Sequence, residues 1–122
     1  MIQVDDDYTI TIVRGDSGYV NVPLIEVTID EHGERTETEY QPQTGDSLRF
    51  AASKKYGATE EECFIIRDIP LDTKRLYFNP EDTKDQKFGE YKYDLELTRS
   101  NDNFTYVDTI LKGKFVISEE VY

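Results

Sequence analysis

Few side chains in this sequence have the chemistry for covalent or metal-assisted catalysis. There is one cysteine, Cys63, in "ECFIIRD", and one histidine, His32, in the turn-like "DEHGER". A single Cys and a single His supply neither a zinc site nor a Cys–His nucleophile pair unless carboxylates complete the set. Cys63 has no second cysteine for a disulfide or a CxxC redox pair, so a buried structural thiol is expected in its strand-like run. No GxSxG, HExxH or Walker loop is present. Carboxylates are abundant, at 26 Asp plus Glu, so a glycosidase-type acid pair fits by residue type. Such a pair needs a cleft beside the core, which a chain of 122 residues has little room to build. With no Trp, a sugar platform would fall to Tyr. No enzymatic role, cofactor or small-molecule substrate is expected.

Two polar clusters have ligand-like chemistry. Asp5–Asp7 and Asn101–Asn103 offer oxygens of the kind calcium takes, but without EF-hand spacing, and solvated turns account for both. "RGD" at Arg14–Asp16 matches the integrin-binding tripeptide. It lies where a strand meets a turn, so Gly15 is expected to bend the chain and Asp16 to bond locally.

The net charge of −12 disfavours contact with nucleic-acid phosphates and favours solubility. The same charge leaves open an acidic DNA mimic that inhibits a basic nucleic-acid enzyme. The 14 basic residues are interleaved with acids and form no phosphate-binding patch. No apolar run approaches the ~18 residues of a membrane span. "MIQVDDDYT" lacks the basic and apolar regions of a signal peptide, so cytoplasmic synthesis is expected, with no membrane partner.

The elements that must position these residues read as strands. "YTITIVR" (8–14) alternates as a half-buried strand does. "YVNVPLIEVTI" (19–29) carries Val20, Val22 and Leu24 on one parity and Ile25, Val27 and Ile29 on the other. An inward face that switches near Pro23 is therefore expected, with an edge or a bulge at the proline. "DEHGE" turns at Gly33, and "RTETEYQ" reads as a short exposed strand. "SLRFAAS" faces Leu48, Phe50 and Ala52 one way, and "CFIIRDI" is expected to bury Phe64 and Ile66. "NPEDTKD" has Asn79 as N-cap and Pro80 at the first helical position, enough for one helical turn. "GEYKYDLELT" places Tyr91, Tyr93, Leu95 and Leu97 on one face, the best candidate for a core row on a central strand. "FTYVDTILKGKFVISEE" reads as one long strand broken near Gly113, or as two strands. About eight short strands without a long helix, and without a repeat or linker, predict one all-β sandwich or barrel spanning residues 1–122.

One combination is more particular: Ile10–Asp16 ending in RGD, then "SLRFAAS", then "GEYKYDLEL", then "VDTILKGKFVISEEV". The order resembles the small immunoglobulin-like domains of tailed-phage structural proteins, notably the N-terminal domain of upper baseplate proteins. Gly89, Tyr91, Tyr93, Asp94 and Leu95 match the late strand of that pattern, and Gly113, Phe115 and Ile117 the closing one. The resemblance implies an immunoglobulin-like antiparallel β-sandwich of about seven to nine strands with at most one short helical turn. It implies a non-enzymatic virion component of a phage or prophage tail or baseplate, assembled through protein–protein contacts with other virion proteins or itself. It also makes RGD part of the scaffold, with an Arg14–Asp94 ion pair expected. Partner contacts are expected from exposed tyrosines, with Tyr19, Tyr40, Tyr56 and Tyr106 as candidates. The alternative is a carbohydrate- or cell-wall-binding β-sandwich module, again using exposed Tyr and acidic loops.

Overall fold

The structure, a computed structural model, describes residues 2–100 and 103–119. Its strands are β1 (Ile2–Val4), β2 (Ile10–Val13), β3 (Gly18–Asn21), β4 (Ile25–Ile29), β5 (Arg35–Glu39), β6 (Ser47–Ser53), β7 (Ile65–Ile69) and β8 (Arg75–Phe78). One short helix, α1 (Pro80–Lys84), precedes β9 (Gly89–Ser100) and β10 (Thr105–Ser118). The fold is all-β, with a single short helix and one lone 3-10 turn, at Glu60–Glu62, among the described residues. The ten strands among the described residues exceed the seven to nine expected, because the three-residue β1 counts as a strand and β4 and β5 add a separate hairpin.

Six strands form one sheet in the order β1-β2-β10-β9-β6-β7. Its pairings are antiparallel except β2 with β10, which run parallel. The core row expected on "GEYKYDLELT" is present: Tyr91, Tyr93, Leu95 and Leu97 of β9 are all buried. Their cross-strand neighbours on the same face are Leu48, Phe50 and Ala52 of β6 and Phe115 and Ile117 of β10, also buried. The two-stranded β3–β8 ribbon covers this face. Phe78 of β8 meets Phe50 edge-on at 5.5 Å and Phe115 at 5.5 Å, while Phe50 stacks on Tyr93 at 5.4 Å. Rings at offset and edge geometries thus fill the space between the two layers.

Three expectations about strand faces are corrected. β7 buries Ile65 and Ile69, leaving Ile66 exposed and Phe64 only packed against the core before the strand starts. Adjacent isoleucines at 65 and 66 make both parities apolar, and the pairing with β6 selects between them. The inward face does not switch at Pro23. Val22 and Leu24 are buried, Pro23 lies between β3 and β4, and Ile25, Val27 and Ile29 leave the core for solvent. The last strand is not broken at Gly113. It bulges between Thr109 and Leu111, with Ile110 the extra residue. The bulge changes parity, so Tyr106 and Asp108 share the face that Leu111, Phe115 and Ile117 occupy further along.

Candidate interaction surface

The RGD turn is stapled to the domain. Gly15 takes φ +83° and donates its N–H to Thr83 Oγ1 at 2.9 Å, and Thr83 is fully buried in α1. Arg14 donates from Nη1 to the Gln86 carbonyl at 3.3 Å, and its guanidinium lies 4.1 Å from the centre of the Phe88 ring. The N–H of Asp16 closes the turn onto the Val13 carbonyl at 3.0 Å.

The Arg14–Asp94 ion pair is not formed. Arg14 bonds through its N–H to Ser118 on β10, whereas Asp94 faces Lys112 on the same strand, six residues away. At strand rise that separates them by roughly 20 Å. The parallel placement of β2 beside the C-terminal half of β10 carries Arg14 away from Asp94. Asp94 lies instead on the outer sheet face. Its burial, and then the neighbouring Glu96 charge, push its carboxyl above the usual value of 3.8, against the pull of Arg49 and Lys112. The groove there, about 240 Å³, also holds Cys63, Lys92 and Tyr56. Burial, then the Asp94 charge, push the half-buried Cys63 thiol up, which disfavours the thiolate a nucleophile needs. His32 is exposed at the β4–β5 turn.

The four candidate tyrosines occupy different places. Tyr19 is exposed, paired with Tyr77 at 5.6 Å, with Arg75 over its ring. Tyr56 is exposed on the outer face, with its hydroxyl on the Gly113 carbonyl at 3.1 Å and Lys92 and Lys112 near its ring. Tyr106 is exposed at the start of β10, edge-on to Phe104 at 4.4 Å. Tyr40 departs from its expected exposure. It is buried and donates its hydroxyl to Asp46 at 2.7 Å, while its N–H bonds the Leu24 carbonyl at 2.9 Å. These bonds anchor the root of the β4–β5 hairpin to the domain.

The turn at Gly33 and the exposed strand at "RTETEYQ" are as expected, but the sequence did not show that the apolar row of β4 stands in solvent. Every residue of β4 and β5 is exposed. Ile25, Val27 and Ile29 share one face at 53%, 44% and 70% exposure, opposite Glu39, Glu37 and Arg35. Alternating β-branched residues favour the strand, and the turn is built by Asp30, whose Oδ1 accepts from the N–H groups of His32 and Glu34 at 2.8 and 2.9 Å. Lys74 ties the root by its ion pair with Glu39 at 2.7 Å. The sequence signal was the second apolar row after Pro23, which has no place in a core already filled by the first.

Between this arm and the β9–β10 ribbon lies a groove of about 730 Å³, lined among others by Glu26, Tyr40, Asp46, Arg99 and Tyr106. Burial, then the Asp46 hydrogen bond, raise the Tyr40 phenol above its ordinary value. Asp5 and Asp7 hold a tight turn through Thr9, and their suggested calcium partners Asn101 and Asp102 lie outside the described residues. Among the described residues no group of three or more His, Cys, Asp or Glu is placed to hold a metal ion. No helix among them is long and apolar enough to cross a membrane. No protein-family model, curated protein or solved structure matches the chain.

Proposed function

We propose that this chain is a non-enzymatic assembly protein, a component of a tailed-phage or prophage particle that joins its partners through strand edges. The observation that carries the assembly reading is the β4–β5 arm, which holds three β-branched residues in solvent although a filled core lies at its root. Exposed apolar rows rimmed by charge are a mark of interaction surfaces. An arm with unpaired edges fits strand addition. The virion setting rests on the resemblance of the RGD, "GEYKYDLEL" and "KGKFVIS" segments to tailed-phage immunoglobulin-like domains. The pairing of β6, β9 and β10 in one layer, and of β3 with β8 in the other, agrees with the central strands of such a sandwich. Mass spectrometry of particles purified from the source phage or induced prophage tests this. The chain is expected in the particle, and Val27→Lys is expected to reduce its incorporation. Its absence from particles would overturn the virion reading.

The groove at the root of the arm favours a second reading, a carbohydrate-binding module. Tyr106 offers an exposed ring there, beside Gln41, Gln43 and Asp46. Glycan-array binding that disappears in Tyr106→Ala would replace the first reading with this one.

A further inference from the structure

The sandwich is closed along only half of one side. At one end β1 and β2 close it. β2 pairs with β10 over Phe115–Ser118, and β1 packs onto β3 so tightly that a β-carbon at Gly18 would meet Ile2 at 3.0 Å. Beyond Phe115, among the described residues, no strand lies beside β10 on the side away from β9. Ser118 offers its carbonyl to Arg14 on the β2 side, so by the period of two the backbone groups of Lys112 face that same open side. The gap between this open edge and β3 is an apolar cleft of about 410 Å³. Leu76, Leu95, Leu111 and the buried Val22 line it, and Tyr8 and Ile10 bound it on the β2 side. An open strand edge beside an apolar slot is the geometry that strand addition fills: main-chain hydrogen bonds on the edge, alternate apolar side chains in the slot.

The same molecule carries a strand of that description. β4 reads Ile-Glu-Val-Thr-Ile, is fully exposed, pairs among the described residues only with β5 and so has an edge of its own. With Ile25, Val27 and Ile29 turned into the cleft, Glu26 falls on the outer face. There Lys112 and Lys114 of β10 flank the open edge, because Leu111 and Gly113 share the inward face. The arm leaves the domain at Val22–Pro23, which lines the cleft itself. Two copies facing each other across a two-fold axis therefore bring each arm to the other's open seam.

The geometry points to reciprocal docking of a second copy: β4 of each chain adds to the open edge of β10 in its partner and seats its isoleucine–valine row in the cleft. This inference rests on the assembly reading and names its partner. The charge of −12 on each copy opposes association, so the test is run in moderate salt, where the Debye length falls below ~10 Å. Sedimentation velocity on the full chain across a concentration series is expected to show a monomer–dimer equilibrium. Val27→Lys is expected to weaken the dimer at least ~10-fold. Its melting curve checks that the fold is intact, because Val27 touches no core. Glu26→Lys and Lys112→Glu are each expected to weaken the dimer, and the two together to restore it.

A chain that stays monomeric throughout, or a dimer that ignores Val27→Lys, overturns the inference. So does a charge exchange that fails to restore what the single changes lost. A monomer found in purified particles would overturn docking to self and leave the assembly reading standing. A monomer absent from particles would remove both.

Discussion

Arg67 sits on the inward parity of β7, between buried Ile65 and Ile69, and is the only charge on that row. Both oxygens of Asp82 hold its guanidinium, at 2.6 and 2.7 Å, and the Tyr77 carbonyl accepts a further bond at 2.9 Å. Asp82 also accepts the Asn79 N–H at 2.7 Å, so one carboxylate both starts α1 and neutralises the edge strand. Its side chain is only 10% exposed. Burial pushes its carboxyl up, but the Arg67 and Asn79 hydrogen bonds outweigh this and hold it below 3.8. Asp82→Ala is expected to cost about 2–3 kcal/mol in urea unfolding at neutral pH, since it orphans a charged donor. A depressed carboxyl contributes stability above its unfolded value and loses it as pH falls through the folded one. The gap between wild type and Asp82→Ala should therefore narrow below pH 3.8. Asp94 has the opposite sign. Its raised carboxyl makes ionisation a cost in the folded state once pH exceeds the unfolded value. Asp94→Asn is expected to gain about 0.5 kcal/mol at neutral pH, with the gain vanishing in acid. Urea melts at both pH values decide it.

At the scale of elements, the long β9–β10 ribbon depends on two devices. The bulge at Ile110 lets one strand present Tyr106 and Asp108, then Leu111 and Phe115, to the same side. Gly113 leaves room for the Tyr93 ring, whose Cε1 would stand 2.7 Å from a β-carbon at that position. Tyr93 lies across this gap to donate its hydroxyl to the Tyr8 carbonyl at 2.6 Å, and burial raises its phenol to about 12. Gly113→Ala must displace either the ring, which stacks on Phe50, or the strand, which pairs with β9. A loss of about 1–3 kcal/mol in thermal or urea unfolding is expected, the scale of an overpacked core. An unchanged melt would show that the ring has room to move. The glycine is thus a packing requirement, although the sequence pattern makes it look like a strand break.

The whole molecule carries −12 on a small surface, and most of its ion pairs lie outside the core. Such pairs contribute little each, while the excess negative charge repels itself across the domain. Raising NaCl from ~0.02 M to ~0.5 M shortens the Debye length from roughly 20 Å to under 5 Å. The melting temperature is expected to rise by a few degrees across that range, measured by circular dichroism. A fall would mean that the attractive pairs, Arg67–Asp82 among them, outweigh the net repulsion. At this scale two apolar features outside the filled core, the arm and the open seam, lie side by side. The arm's root at Val22–Pro23 joins them.

The sequence by itself determined what local chemistry decides. The period of two in "GEYKYDLELT" places its tyrosines and leucines inside, Gly15 and Gly33 mark turns, and Asn79-Pro80 opens α1. It determined the absence of the common catalytic motifs, because those are residue types at short spacing. Only the tertiary structure decided between equal local choices: Ile65 or Ile66, Tyr40 anchored or exposed, Arg14 beside Asp94 or six residues along β10 from it. It also decided which of two apolar rows around Pro23 enters the core and which stands in solvent. Those outcomes depend on which strands pair and in what register, and pairing between residues far apart in the chain leaves no mark in the local alternation of either strand.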